Sequence, residues 1–411
     1  MSAPLDERET RPHSAREAEL AERLPAQVMR AQQATTHFAE TLAGVDASRI
    51  TSRDALAALP VLRKGDLIQR QAEAPPFGGL VAEDGDAFAR VFQSPGPIYE
   101  PQAPGTDGWR FARALRAAGV ERGGGILHNT FGYHFMPAGF MFDGAGRALD
   151  CPVFPAGPGQ SEQQVRAIAQ LRPRYYTGTP SFLNILLEKA DELGVAVDSL
   201  ERGLVTAEPL PGDLVNHFRD RGIEVFECYG TADLGLIAYQ TEAREGLVVD
   251  EDVIVEIVHP GTGTPVAEGE VGEVVVTTLN PDYPLIRFAT GDLSAVMPGA
   301  CPTGRTNTRI RGWMGRADQT TKVRGVFVHP EQIQEIVGRF DVLRRARLVV
   351  EQADHRDRAT LYCEVADAGD GLTERIAETF RAVCTVGAEV ELVAPATLPT
   401  DGKVILDQRQ K

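Results

Sequence analysis

Three residues far apart in the sequence could act together if the fold gathers them. Lys403 stands in Gly402-Lys403-Val404, on a loop after the last predicted strand. Lysine is a flexible point charge with three donors, suited to carboxylate or phosphoryl oxygens. An exposed lysine near a chain end is nevertheless ordinary. Asp292 ends the run Arg287-Phe288-Ala289-Thr290-Gly291-Asp292. Its carboxylate can accept several hydrogen bonds, although aspartate after glycine is also common in turns. Tyr229 opens Tyr229-Gly230-Thr231-Ala232-Asp233, which offers an aromatic face and, at Asp233, a hard oxygen ligand.

Such chemistry needs a scaffold. The 411 residues exceed one ordinary core, and the net charge of −16 argues against nucleic acid or an anionic membrane as partner. Met1–Thr10 is charged, without a signal-peptide core, and no run is long enough to cross a bilayer, so a cytoplasmic protein is expected. The five cysteines are scattered without a C-x-x-C pair, which reads as reduced structural thiols and gives zinc no support.

Ser14 and Glu17 read as a capping box before Ala18–Leu24, with Pro25 interrupting. Residues 75–107 are loop-rich. Ser161 and Gln164 read as a second capping box. Thr179 is placed to cap a helix with Pro180 in its first turn and Gly194 at its end. Strand candidates at 125–128, 175–177, 204–206 and 224–229 alternate with helices, which indicates an α/β domain with parallel pairing. From Val253 hairpins take over. After Asp318 the pattern becomes a small α+β unit of strands 321–323, 326–328, 346–351, 359–365 and 389–393 with two helices. The expected fold class is therefore α/β: a large domain over residues 1–317 with parallel α/β sheets and a β-rich part, then a small α+β domain over 318–411. A serine hydrolase is excluded because no G-x-S-x-G elbow occurs. A dinucleotide-binding fold is excluded because Gly123-Gly124-Gly125 precedes a strand instead of following one.

Five segments in order resemble the adenylate-forming enzymes: Val205-Thr206-Ala207-Glu208-Pro209-Leu210, Tyr229–Asp233, Arg287–Asp292, Gly315-Arg316-Ala317-Asp318 with Lys322-Val323-Arg324-Gly325, and Gly402-Lys403. Gly178-Thr179-Pro180-Ser181, Pro284-Leu285-Ile286-Arg287 and Val328–Ile333 resemble the phenylacetate–CoA ligase branch in particular. The resemblance covers the chain from about Arg90 onward.

The resemblance implies ATP-dependent activation of an organic acid through an acyl-adenylate, with ATP/AMP, Mg2+ and coenzyme A as cofactors. Lys403 would be the catalytic cation. Ala207, Glu208, Pro209, Tyr229, Gly230, Thr231, Asp292 and Arg316 would bind the nucleotide, Asp292 at the ribose hydroxyls and Tyr229 against the adenine. Asp233 would hold Mg2+, Asp318 would be the hinge of a mobile cap, and Gly325 would line the CoA channel. Phe131, Gly132, Tyr133 and His134 would line the acyl pocket, which suggests an aryl or arylacetic acid. The resemblance leaves a homodimer open, and no residue argues for one. Three features depart from the family. Asp233 stands where the family usually has a glutamate longer by one methylene, Ala232 replaces a hydroxyl, and Val91–Pro101 stands where a glycine-rich phosphate loop ending in lysine is expected. Its three prolines remove backbone donors, and Glu100 would repel a triphosphate. Two alternatives follow: an adenylyltransferase or carrier-protein-acylating relative with another acceptor, and a non-catalytic nucleotide- or acyl-CoA-binding homologue.

Overall fold

The computed structural model describes residues 2–82, 88–94, 96–259, 261–317, 321–328, 330–353, 356–366, 369, 371–399 and 403–409. The chain divides into two compact units, Met1–Trp313 and Met314–Lys411, against an expected boundary after residue 317.

A nine-stranded sheet dominates the larger unit. Glu224–Thr231, Arg202–Val205, Tyr175–Gly178, Leu127–Asn129 and Val153–Pro155 lie side by side and parallel, joined by helices. Parallel strands need both faces covered, and Leu127–Asn129 and Tyr175–Gly178 are buried along their whole length. Gly235–Gln240 then turns back antiparallel to Glu224–Thr231, the first of four antiparallel strands at that edge. A second sheet orders Leu62–Arg63, Phe288–Ser294, Gly272–Thr278 and Val253–Val258. Thr179 accepts from Phe182 N at the start of Pro180–Leu193, and Gly194 ends that helix in the left-handed region, as its sequence foretells.

The smaller unit has a four-stranded sheet ordered Glu389–Val393, Arg356–Val365, Leu343–Ala353 and Ile405–Asp407, beside the hairpin Thr321–Val323/Val326–Val328. Its core includes Ile333 and Ile336 from the helix Pro330–Gly338 and Ile376 and Phe380 from Leu372–Cys384.

Four local expectations need correction. The first long helix runs from His13 to Ala34, so Ser14 lies inside it and Pro25 does not stop it. A mid-helix proline costs about 3 kcal/mol, but Leu24, Val28 and Ala31 are fully buried on the same helix and offset that cost. Ser161 begins its helix without capping it. Gln164 is instead buried, bonding His128 and the Gly157 and Gly159 carbonyls. Within the loop-rich stretch, Arg90–Ser94 pairs with Ile98–Gln102 as an antiparallel hairpin. Ile405–Asp407 adds an edge strand beyond Lys403, its short apolar run too weak a signal alone.

Candidate active site

Tyr229 lies near the end of one sheet's central strand and Asp292 near the end of another's, yet the fold joins them. Tyr229 Oη donates to Asp292 Oδ2 at 2.8 Å, and Trp313 Nε1 donates to Asp292 Oδ1 at 3.0 Å. Thr290 Oγ1 accepts from Asp292 N at 3.1 Å and donates to Val274 O at 3.1 Å, so the turn through Gly291, with φ 76°, is fixed to the sheet. Asp292 is 8% exposed, and an ionised carboxylate offers about four acceptor sites over its two oxygens. Such a group, oriented from two sides, can receive a vicinal diol.

The neighbouring segments are held as firmly. A Cβ at Gly230 would lie 2.6 Å from Gly235 O, so only glycine fits the turn after Tyr229. Thr231 Oγ1 accepts from Leu234 N at 3.2 Å. Thr206 Oγ1 donates to Cys228 O at 2.7 Å, which ties the 205–210 segment to the Tyr229 strand. Ala207 is exposed and takes φ 71°, a left-handed conformation that costs a Cβ residue about 1 kcal/mol. Glu208 Oε2 accepts from Ser181 N at 3.4 Å, and Pro209 is half-buried.

The aromatic loop is divided. Phe131 stacks on Phe142 with centroids 4.8 Å apart and belongs to the core. Tyr133 is half-buried, its Oη accepting from Asn129 Nδ2 at 2.8 Å and its ring edge-on to Phe140. Gly132 is half-buried and His134 is exposed. Gln93 N, on the hairpin at 90–102, donates to Phe135 O at 2.8 Å, which joins this loop to the place expected for the phosphate loop.

In the smaller unit, Arg316 is half-buried and Lys403 exposed. Gly325 and Arg324 have φ 84° and 47° and form the two-residue turn of the hairpin, a geometry that needs positive φ at both positions. Asp318 and Gly402 lie outside the described residues.

A buried charge cluster completes the larger unit's site. Lys64 Nζ donates to Asp233 Oδ2 at 2.6 Å, and Ser94 Oγ donates to Glu100 Oε1 at 2.5 Å. Asp233 and Glu100 are 6% and 1% exposed, and Glu100 makes its own side-chain contact with Asp233. Burial first, then the Asp233 charge, push the Glu100 carboxyl up to about 8 despite Lys64 and Ser94. Burial alone would lower the Lys64 ammonium, but Asp233, Glu100 and Asp292 raise it above the ordinary lysine value. Asp292 thus feels the same cation.

Residues 146–280 match the family described as AMP-binding enzyme, and residues 325–409 match the AMP-binding enzyme C-terminal domain. Phenylacetate-coenzyme A ligase of Aromatoleum evansii is 32% identical over 72% of this chain and 69% of that protein. The chain belongs to the phenylacetate–CoA ligase-like branch of the adenylate-forming enzymes. The Thermus thermophilus phenylacetate-coenzyme A ligase is 35% identical over 67% of this chain, and the chain spans 64% of that relative's length. Among solved structures, 2-hydroxyisobutyryl-CoA ligase with 2-HIB-AMP and CoA in its thioesterification state superposes at TM-score 0.81, with 24% identity, 98% of this chain and 92% of that one. Its open conformation with the same ligands gives 0.72, with 24% identity, 98% of this chain and 95% of that one. At that identity the likeness is one of fold.

Against the adenylate-forming pattern, sequence reasoning passed over Lys64, Trp313 and any structural role for Glu100. A signal for Lys64 existed. The chain has only five lysines among 42 cationic residues, which leaves a short set of compact charges to inspect. Its partner, however, lies 169 residues away, and no local pattern connects them.

Proposed function

We propose that this chain is an AMP-forming acid–CoA ligase that activates an organic acid with ATP, aryl and arylacetic acids being the first candidates. The observation that carries the reading is Asp292, oriented by Tyr229 Oη and Trp313 Nε1 near a strand end, so that its carboxylate can accept the ribose hydroxyls of a nucleotide.

In the first half-reaction a carboxylate oxygen bonds to the α-phosphorus as the bond to the bridging pyrophosphate oxygen breaks. Charge grows on the phosphoryl oxygens and the leaving group, so positioned cations and donors lower the barrier. Asp292 anchors the ribose. Tyr229, oriented through its hydroxyl, presents its ring toward the base, with Ala207, Glu208 and Pro209 opposite. Gly230 and Thr231 shape the turn beneath the phosphates, and Arg316 meets the ribose or α-phosphate. Lys403 supplies the ammonium to the carboxylate and α-phosphate oxygens. In the second half-reaction the CoA sulfur bonds to the acyl carbon, AMP leaves with its oxygen, and the thiol proton passes to solvent. Gly325, which bears no side chain, lines the thiol's approach, and Asp318 is the hinge between the two arrangements. The acid sits by Phe131, Gly132, Tyr133 and His134.

The nucleotide would bring Mg2+, which neutralises phosphate charge. Asp233, a hard oxygen ligand on the loop that follows the Tyr229 strand, would hold it. The candidate partners are thus the acid, ATP and CoA.

The test is pyrophosphate release across aryl, arylacetic and short aliphatic acids, with product mass by spectrometry. An acyl-CoA thioester is expected, and Lys403→Ala should lower the adenylation rate roughly 10²–10³-fold. An adenylylated non-acid product, or AMP binding without pyrophosphate release, contradicts the reading.

A further inference from the structure

Asn129 ends a parallel strand of the nine-stranded sheet, is fully buried, and uses every hydrogen-bonding position of its side chain. Oδ1 accepts from Phe131 N at 3.1 Å and from Thr177 Oγ1 at 3.2 Å. Nδ2 donates to Gly139 O and to Tyr133 Oη, each at 2.8 Å. The amide therefore cannot be turned over. A backbone N–H requires an oxygen on one side of it, and a backbone carbonyl requires an NH2 on the other.

The consequence falls on Tyr133. An NH2 group only donates, so Tyr133 Oη acts as acceptor toward Asn129 and its own proton points elsewhere. Among the described residues that proton meets no acceptor. The ring is not free to carry it away. A Cβ at Gly139 would lie 2.8 Å from Tyr133 Cδ2, and Phe140 meets the ring edge-on at 5.1 Å. Phe131 N at one end of the loop and Gly139 O at the other are tied to the same asparagine, and Gly139 N closes back on Gly132 O at 3.0 Å. Burial first, then the Asp143 charge, hold the Tyr133 hydroxyl above its ordinary value, so it stays protonated at any working pH.

We infer that Asn129 is a positioning residue that fixes Tyr133 as a hydrogen-bond donor, and that the enzyme selects acids whose acyl group carries an acceptor besides its carboxylate. The inference rests on the ligase reading, which places half-buried Tyr133 at the acyl pocket, and it narrows the acid. An ether, carbonyl or hydroxyl oxygen, or a pyridine-type nitrogen, can take the proton. A plain hydrocarbon leaves it unmet. Because the donor is oriented before the acid arrives, the bond favours the acceptor-bearing substrate without further ordering.

The experiment compares isosteres that differ in the acceptor alone, read by pyrophosphate release with CoA. The three methoxyphenylacetate isomers are set against the matching ethylphenylacetates, and methoxyacetate against butyrate. In wild type at least one ether should be preferred over its hydrocarbon partner roughly tenfold in kcat/KM, as a neutral hydrogen bond supplies. Tyr133→Phe keeps the ring and should bring that ratio to about one by slowing the ether alone. Asn129→Asp keeps the shape but lets Tyr133 donate inward to a carboxylate, so it should erase the preference too. Thermal melts report whether each variant folds, and Tyr133→Phe carries the test if Asn129→Asp does not. Equal use of every pair by wild type, as for a hydroxyl that serves only solvent, overturns the inference and leaves the ligase reading standing. So does a preference kept in folded Tyr133→Phe. A preference lost in Tyr133→Phe but kept in folded Asn129→Asp removes the positioning role of Asn129. No pyrophosphate from any aryl, arylacetic or short aliphatic acid sinks the ligase reading and this inference with it.

Discussion

The larger unit buries two clusters of charge, and they are finished differently. At the N-terminal end, Glu9 is 1% exposed and both oxygens are filled. Leu5 N and Arg113 Nη1 donate to Oε1, while Arg305 Nε and Tyr239 Oη donate to Oε2. Asp250 is likewise met by Arg110, Arg113 and the Asp252 amide. What remains unpaired there is a donor, Arg305 Nη2. Around Lys64 the carboxylates are as deeply buried, but Glu100 and Asp233 bond each other over a single ammonium, and the Glu100 carboxyl is raised to about 8. Burial and charge alone therefore do not separate the two clusters. The partner does: arginine donors fill the first, and a carboxyl pair sharing one lysine forms the second.

The contrast can be broken most forcefully at Glu9. Glu9→Ala leaves Arg113 and Arg305 buried with less compensation and should cost about 3–5 kcal/mol, read as a lower denaturation midpoint. A loss under 1 kcal/mol would remove the structural role assigned to that cluster. Asp292 stands apart from both, since its two oxygens are held by the neutral donors of Tyr229 and Trp313. Asp292→Ala should cost about 1–3 kcal/mol by stranding the Tyr229 and Trp313 donors, and should also abolish AMP binding by calorimetry.

Stability against pH sharpens the comparison by sign. Burial would raise the Asp252 carboxyl, but Arg8 and Arg23 bring it down to about 2. Its contribution, up to about 2 kcal/mol, is present above pH 4 and should be lost as pH falls through 2. Glu100 behaves oppositely. Its carboxyl is raised to about 8, so the unfolded chain gives up the proton first and metal-free stability should fall as pH rises from about 4.5 to 8. Metal-free denaturation midpoints across pH should show that decline in wild type and lose it in Glu100→Gln. The smallest effect is expected outside both clusters, where Phe135, 74% exposed, should tolerate serine within about 0.5 kcal/mol in the same unfolding measurement.

How much of this was legible in the sequence follows the range of the interactions. The helix after Thr179 was readable because cap, first-turn proline and terminal glycine are local signals. The alternation that yields the parallel sheet was readable too, because each strand and the helix after it carry their signals within a short stretch of chain. The run through Pro25 was not, since what overrides the proline is tertiary packing of Leu24, Val28 and Ala31. In the site, Tyr229 and Asp292 could be named from their motifs. Their contact through Oη, and the part played by Trp313, needed two sheets in three dimensions. Glu100 was visible, but its membership of a buried cluster was not, because its partners Asp233 and Lys64 come from distant segments.

The most direct measurement is a crystal grown with AMP. Nucleotide density with its ribose hydroxyls within hydrogen-bond reach of the Asp292 carboxylate is the expected result. AMP bound elsewhere, or with its ribose out of reach of Asp292, would contradict it.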